Sequence, residues 1–258
     1  MIRYSVLASG SSGNGYVISD GECAVLFDAG FSLREIKRRV VNAGIDFATV
    51  QALFLTHLHP DHSRTAGIFA RQTLLPVYMH ESLQIEPDMA ALRIPVHLSH
   101  YFTPGLAVRL GPFSIVPFIT SHDSPNSVGF FISVRDKAFM LLTDTGMIYP
   151  HMLEFASRCD VLFLEANYDP ELLKNGPYPW FLKQRISGNE GHLSNLEAVR
   201  VLRESNVARK ERREVYLCHL SKINNNPERL QQYLSEQDSL NAECIICRHG
   251  EQYVAEID

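Results

Sequence analysis

Three imidazoles and a carboxylate fall within six residues of this chain, in the stretch Thr56-His57-Leu58-His59-Pro60-Asp61-His62. No other feature of the sequence restricts its fold and chemistry as much. At the chain's own residue frequencies, His-x-His-x-Asp-His would arise by chance in roughly one sequence of this length per thousand, so it outweighs a short motif match. The apolar run Ala52-Leu53-Phe54-Leu55 just before it predicts a buried strand that ends on His57. His57 and His59, two apart at the mouth of that strand, project the same way and can hold one cation together. Pro60 turns the chain, which lets Asp61 and His62 face a second position. A lone histidine is usually a hydrogen-bonded or surface imidazole, and His80, His97, His100, His151 and His249 are read that way.

Two adjacent cations need more donors than these four, and the sequence places others at the ends of apolar runs. Phe118-Ile119-Thr120-Ser121-His122 ends on a histidine. Met140-Leu141-Leu142-Thr143-Asp144 ends on an aspartate, and Tyr216-Leu217-Cys218-His219 on another histidine. Imidazole and carboxylate donors suit zinc, manganese or iron, and no cysteine is placed to favour a softer ion. Two divalent ions are therefore expected, with zinc the first choice and manganese the second.

The chain around this motif has 258 residues, 45% of them hydrophobic and 21% charged, enough apolar material for a substantial core. No linker-like tract divides it, so a single domain over 1–258 is expected. The opening residues run straight into a strand pattern without a secretory signal, and no apolar stretch approaches a membrane span; a cytoplasmic protein without membrane association is the expectation. Five scattered cysteines fit a reducing compartment. Cys244-Ile-Ile-Cys247 is read as buried hydrophobes on a strand, because residues three apart on a strand face opposite ways. A net charge of −5 does not by itself advertise a nucleic-acid binder. Basic residues do cluster at Arg34, Lys37, Arg38 and Arg39, and at Arg209, Lys210, Arg212 and Arg213.

Strands are predicted at 4–8, 16–19 and 24–27, paired as hairpins, and at 76–79, 106–110, 113–119, 128–134, 138–142, 161–164 and 214–217. Helices are predicted after the capping box Ser32-Leu33-Arg34-Glu35 with a stop at Gly44, at 63–72, 179–186 and 196–205, and after Asn226-Pro227. A hairpin over 244–254 is expected to close the chain. Helices interleaved with two groups of strands favour two sheets between helices over one doubly wound sheet.

Taken together, the set resembles the metallo-β-lactamase superfamily, from Asp28 in Leu26-Phe27-Asp28-Ala29-Gly30 to His219. The resemblance implies an α/β fold, an αββα four-layer sandwich with a dinuclear metal site along one edge. It implies that His57, His59 and His122 hold one metal, that Asp61, His62 and His219 hold the other, and that Asp144 bridges them. Within the superfamily the chain looks similar to the WalJ/YycJ-like branch, related to ribonuclease Z and ribonuclease J. The stretches that carry this are Leu7-Ala8-Ser9-Gly10-Ser11-Ser12-Gly13-Asn14, Leu164-Glu165-Ala166-Asn167-Tyr168-Asp169, the run from Ile186 through His192 to Asn195, and His219-Leu220-Ser221-Lys222-Ile223-Asn224-Asn225. The sequence lacks the long insertion that clamps RNA in ribonuclease J and any arm like the one that grasps tRNA in ribonuclease Z.

This likeness implies a metal-dependent phosphodiester hydrolase acting on nucleic acid, a 5′-to-3′ exonuclease that attacks through a metal-bound hydroxide. Two divalent ions and two ligating carboxylates leave a net charge of about +2, which draws an anionic phosphodiester. Asp61, His192 and Glu165 are the expected catalytic residues. His192 precedes a second capping box, Ser194-Asn195-Leu196-Glu197, and is the expected proton donor to the leaving alkoxide. Asp28 and Glu165, carboxylates at the ends of apolar strands, are expected to hold ligand imidazoles by their remaining N–H. The loop 10–14 is either a phosphate cradle or a tight turn. The competing readings are a hydrolase of a cyclic nucleotide, lactone or thioester on the same fold, and a non-catalytic protein that retains the metals. Sequence leaves the oligomeric state open.

Overall fold

The computed structural model describes residues 1–207, 211–237 and 240–258. Among the described residues, fourteen strands form two seven-stranded sheets. The first contains β1 (Ile2–Ala8), β2 (Gly15–Ser19), β3 (Ala24–Phe27), β4 (Val50–Phe54), β5 (Val77–His80) and β6 (Ser99–Phe102), with β14 (Tyr253–Ile257) on the far edge, in the order β14-β1-β2-β3-β4-β5-β6. The second contains β7 (Val108–Leu110), β8 (Phe113–Ile119), β9 (Val128–Val134), β10 (Lys137–Leu142), β11 (Val161–Glu165), β12 (Arg213–Cys218) and β13 (Ala242–Ile246), in the order β13-β12-β11-β10-β9-β8-β7. Both are mixed: β3 to β6 run parallel, as do β10 to β13, whereas β14–β1, β1–β2, β2–β3, β7–β8 and β9–β10 are antiparallel.

The inner parallel strands are short, apolar and largely buried, as strands covered on both faces must be, whereas the edge strands β6 and β13 are more exposed. Ala24–Phe27 and Val161–Glu165 are buried throughout. Their direction matters more than their burial. Parallel neighbours bring their C-terminal ends to one edge of a sheet, where open α/β sheets bind ligands. In register, Leu142 stands beside Leu164 and Glu165 beside Cys218, so Asp144, Glu165 and His219 come off adjacent strands at neighbouring heights.

The chain divides into two compact units, one of residues 1–117, 124–128 and 249–258, the other of residues 118–123 and 129–248. In the first, the helix Leu33–Asn42 turns Ile36 and Val40 onto a core that includes Leu26, Leu53, Phe69 and Val77. Ser32 caps this helix through the Glu35 N–H, and Gly44 follows its end at a φ of 70°, as the capping box and the glycine predict. In the second, Ser194 caps the helix Asn195–Asn206 and Asn226 caps Pro227–Ser235.

Several expectations need correction. The helix expected over 63–72 is broken into Pro60–Ser63 and Ala66–Thr73, because the Thr65 N–H turns to the Ala29 carbonyl at 2.9 Å. The closing hairpin does not form. β13 lies parallel to β12 and β14 antiparallel to β1, so the two strands belong to different sheets. An isolated hairpin is marginal in water, whereas each strand extends a sheet that already has a core. Helices Pro150–Arg158 and Pro170–Asn175 were not expected. Of the second basic cluster, Arg209 and Lys210 lie outside the described residues, and Arg213 is no surface cation: it is 2% exposed, donating to the Ala156 carbonyl and, at 2.6 Å, to Ser205 Oγ. The first cluster is largely structural, since Arg38 and Arg39 both bind Glu35.

Candidate metal centre

In the first unit, β4 ends at Phe54 and delivers Thr56 and His57 to its C-terminal edge, and the turn at Pro60 carries Asp61 and His62 back beside them. The His57 ring lies 4.7 Å from that of His59 and 4.2 Å from that of His62, centroid to centroid. Asp61 Oδ2 is 3.6 Å from His62 Nε2. All four side chains of the motif therefore gather on one turn.

Asp28 sets the orientation of that turn. It follows β3 directly, with a left-handed φ of 60°, and its carboxylate accepts the Thr56 N–H at 2.9 Å, the Thr56 hydroxyl at 3.0 Å and His62 Nδ1 at 2.7 Å. A carboxylate only accepts, so Nδ1 of His62 carries the proton and Nε2 carries the lone pair. The Thr56 hydroxyl, donating to Asp28, can accept from His57 Nδ1 at 2.9 Å, which leaves the lone pair of His57 on Nε2 as well. Asn14 braces the other side: its N–H donates to the Asp61 carbonyl at 2.7 Å and its side-chain amide lies 2.9 Å from His62 Nε2. Gly30 makes the close packing possible, because a β-carbon there would sit 1.7 Å from the Asp61 carbonyl oxygen.

In the second unit, donor atoms of Asp144, Glu165, His192 and His219 lie within 4.8 Å of one another, and His122 adjoins them with Nε2 3.6 Å from Asp144 Oδ1. The same orienting chemistry recurs. His122 Nδ1 donates to the Gly191 carbonyl at 3.0 Å, and His192 and His219 donate through Nδ1 to Glu165 Oε1 at 2.7 and 3.0 Å. Asn167 adds a contact from its side-chain amide to the His219 carbonyl at 2.9 Å. Burial pushes the Glu165 carboxyl up, but the charge of His192 and the hydrogen bonds from His192 and His219 outweigh it and hold the group well below the usual carboxylate range. Asp144 and His219 both adopt left-handed backbone, with φ of 55° and 58°.

Four imidazoles, His57, His62, His122 and His219, are thus oriented through Nδ1 with Nε2 left as the donor nitrogen, the arrangement a transition-metal ligand requires, and His192 is held through Nδ1 as well. The donor set of imidazoles and carboxylates fits a divalent metal. Of the residues singled out in the sequence, the structure gathers His57, His59, Asp61 and His62 on one turn of the first unit and His122, Asp144, Glu165, His192 and His219 in the second, with Asp28 accepting from His62 and Glu165 from His219. Sequence reasoning did not single out Thr56, Asn14 or Asn167, whose one signal was proximity to the motifs. The loop 10–14 serves at least as a brace, through Asn14.

A fold with ligand clusters at the C-terminal ends of parallel strands, each cluster backed by a buried carboxylate, defines a metal-binding hydrolase scaffold. Residues 24–219 match the family described as Beta-lactamase superfamily domain. The chain is 34% identical over 228 residues to the exodeoxyribonuclease WalJ of Streptococcus pneumoniae strain D39, covering 88% of this chain and 84% of that one. It is 32% identical over 227 residues to the exodeoxyribonuclease YycJ of Bacillus anthracis, covering 88% and 85%. The crystal structure of the metallo-β-lactamase fold protein YhfI from Bacillus subtilis superposes over 98% of this chain and 99% of that one, with a TM-score of 0.71 at 19% identity. The chain belongs to the metallo-β-lactamase superfamily, and its fold class is the α/β sandwich expected.

Proposed function

We propose that this chain is a dinuclear-metal-dependent nuclease that hydrolyses phosphodiesters in DNA as a 5′-to-3′ exonuclease, with one catalytic domain over 1–258 and a cytoplasmic location. The observation that carries the reading is the set of five imidazoles oriented through Nδ1, four of them among the proposed ligands. Similarity to two relatives named exodeoxyribonucleases supports the substrate class. Among the described residues no helix is long and apolar enough to cross a membrane.

In this reading His57, His59 and His122 would hold one ion and Asp61, His62 and His219 the other, with Asp144 contributing to both, and zinc the first choice and manganese the second. When bound there, divalent ions would supply Lewis-acid chemistry, making a water acidic and offsetting charge on the phosphoryl oxygens. Asp28 and Glu165 keep the ligand imidazoles in the tautomer that binds. Glu165 also fixes His192 through Nδ1, so the proton that His192 can pass to a leaving oxygen is the one on Nε2. The His192 side chain is 20% exposed, enough for substrate to reach it.

The test is cleavage of 5′-phosphorylated, 3′-labelled DNA by the protein supplied with zinc or manganese. Asp61→Ala and Asp144→Ala should each reduce the rate by more than the roughly 10–100-fold typical of losing only a ligand's hydrogen-bond partner, with circular dichroism unchanged. Full activity in the Asp144→Ala protein would refute the assignment.

A further inference from the structure

The chain has a single tryptophan, Trp180, and it is 73% exposed. A side chain that large and apolar is normally placed where it buries most of its surface. Trp180 opens the helix Trp180–Ser187, with Phe181 beside it 72% exposed. Between this helix and Pro170–Asn175 runs a groove of about 320 Å³, lined by Tyr168, Leu173, Lys174, Trp180, Lys183 and Gln184 among others.

The groove has a charge opposite to that of the molecule. Its lining includes the cations Lys174 and Lys183 and no acidic residue, in a chain of net −5, while Arg185 on the same helix is paired with Asp123. Lys183 Nζ reaches the Lys174 carbonyl at 2.7 Å, which sets its ammonium group between the two helices. The elements that wall the groove are joined through the chain to the ligand cluster of their own unit. The helix Trp180–Ser187 runs into the loop 188–193, where His192 N–H donates to the Ile186 carbonyl at 2.9 Å and the Gly191 carbonyl orients His122. On the other wall, Tyr168 follows Asn167, which holds His219.

From these features we infer that the Trp180 face of this groove is a stacking site for a base of a single-stranded nucleic acid, with Lys174 and Lys183 beside its phosphates. Aromatic faces accept any base, and flanking cations track the backbone, so such a site binds a strand without reading its sequence. The inference rests on the nuclease reading, since it supplies the strand that the ligand cluster would cut.

Because Trp180 is the sole tryptophan, its emission reports on this one place. The full chain is titrated with a 12-nucleotide single-stranded DNA made resistant to cleavage by phosphorothioate linkages. Trp180 emission is read in one series, and the anisotropy of a 3′-labelled copy in a parallel one. The expected result is quenching whose midpoint coincides with the anisotropy midpoint. Trp180→Ala should weaken binding about fivefold or more, the low end for one stacked base, and Trp180→Tyr should restore it to within about twofold. Saturable binding with unchanged emission, or with Trp180→Ala binding as well as wild type, overturns the stacking site and leaves the nuclease reading standing. Failure of the strand to bind at all also overturns the stacking site, while the nuclease reading is decided separately by the cleavage assay.

Discussion

Asp28, Asp144 and His219 share an uncommon conformation: each follows a buried strand and adopts left-handed backbone, a geometry that non-glycine residues enter at a cost of about 1–3 kcal/mol. Aspartate and histidine tolerate it better than most residues, and here the side chains are fastened on several sides. The structural consequence is that Asp28 meets both Thr56 and His62. Asp28→Asn preserves its shape but sets an amide where a carboxylate accepted three hydrogen bonds. Zinc affinity, measured by competition with a chromogenic chelator, should fall roughly 10–100-fold. Unchanged affinity would show that Asp28 does not orient the ligands. The identities of these residues were legible in the sequence because ligand types cluster at the ends of apolar runs. Their backbone conformations, and the bracing by Asn14 and Asn167, were not, because they depend on partners 47 and 52 residues away in the chain.

Elements were legible where a local signal is complete. Strands expected at 113–119 and 128–134 are found with those bounds, since continuous or alternating apolar residues mark them from end to end. Capped helices were found from Ser32 and from Asn226-Pro227. The helix Pro170–Asn175 was missed although Asp169 caps it, accepting the Leu172 N–H at 2.8 Å, because six residues are too few to show a period. The misread closing hairpin has another cause: sequence spacing records which strands are near in the chain, whereas the partner is chosen by whichever sheet edge is open. On the helix Leu33–Asn42, Glu35 accepts from Arg38 at 2.8 Å and Arg39 at 2.6 Å, hydrogen bonds that lower its carboxyl to about 2. Arg39 also reaches the Leu7 and Gly250 carbonyls, tying the helix to β1. A carboxyl lowered in the folded state stabilises above its ordinary value near 4.5 and loses that contribution as the pH falls toward 2. Thermal melts of wild type and Glu35→Gln should therefore differ most at neutral pH and converge between pH 4.5 and 2. A constant difference across that window would show that the pair does not stabilise the fold.

At the scale of the whole molecule, resident ions should bind the folded chain and not the unfolded one. An ion held at 100 times its dissociation constant adds about 2.7 kcal/mol to stability, which in a protein of this size corresponds to a rise in Tm of roughly 5–10 °C. Dialysis against a chelator should lower Tm by that order, and added zinc should restore it. An identical melting curve with and without metal would mean that ions do not occupy the ligand clusters at working concentrations. The first compact unit is assembled from residues 1–117, 124–128 and 249–258, and its last piece, β14, covers the outer edge of β1. Translation therefore produces the opening strand long before its outer neighbour. Until β14 has been made, the growing polypeptide carries an uncapped edge with unpaired N–H and C=O groups, the kind of surface on which aggregation begins. A stop codon ahead of Tyr253 would leave that edge open for good.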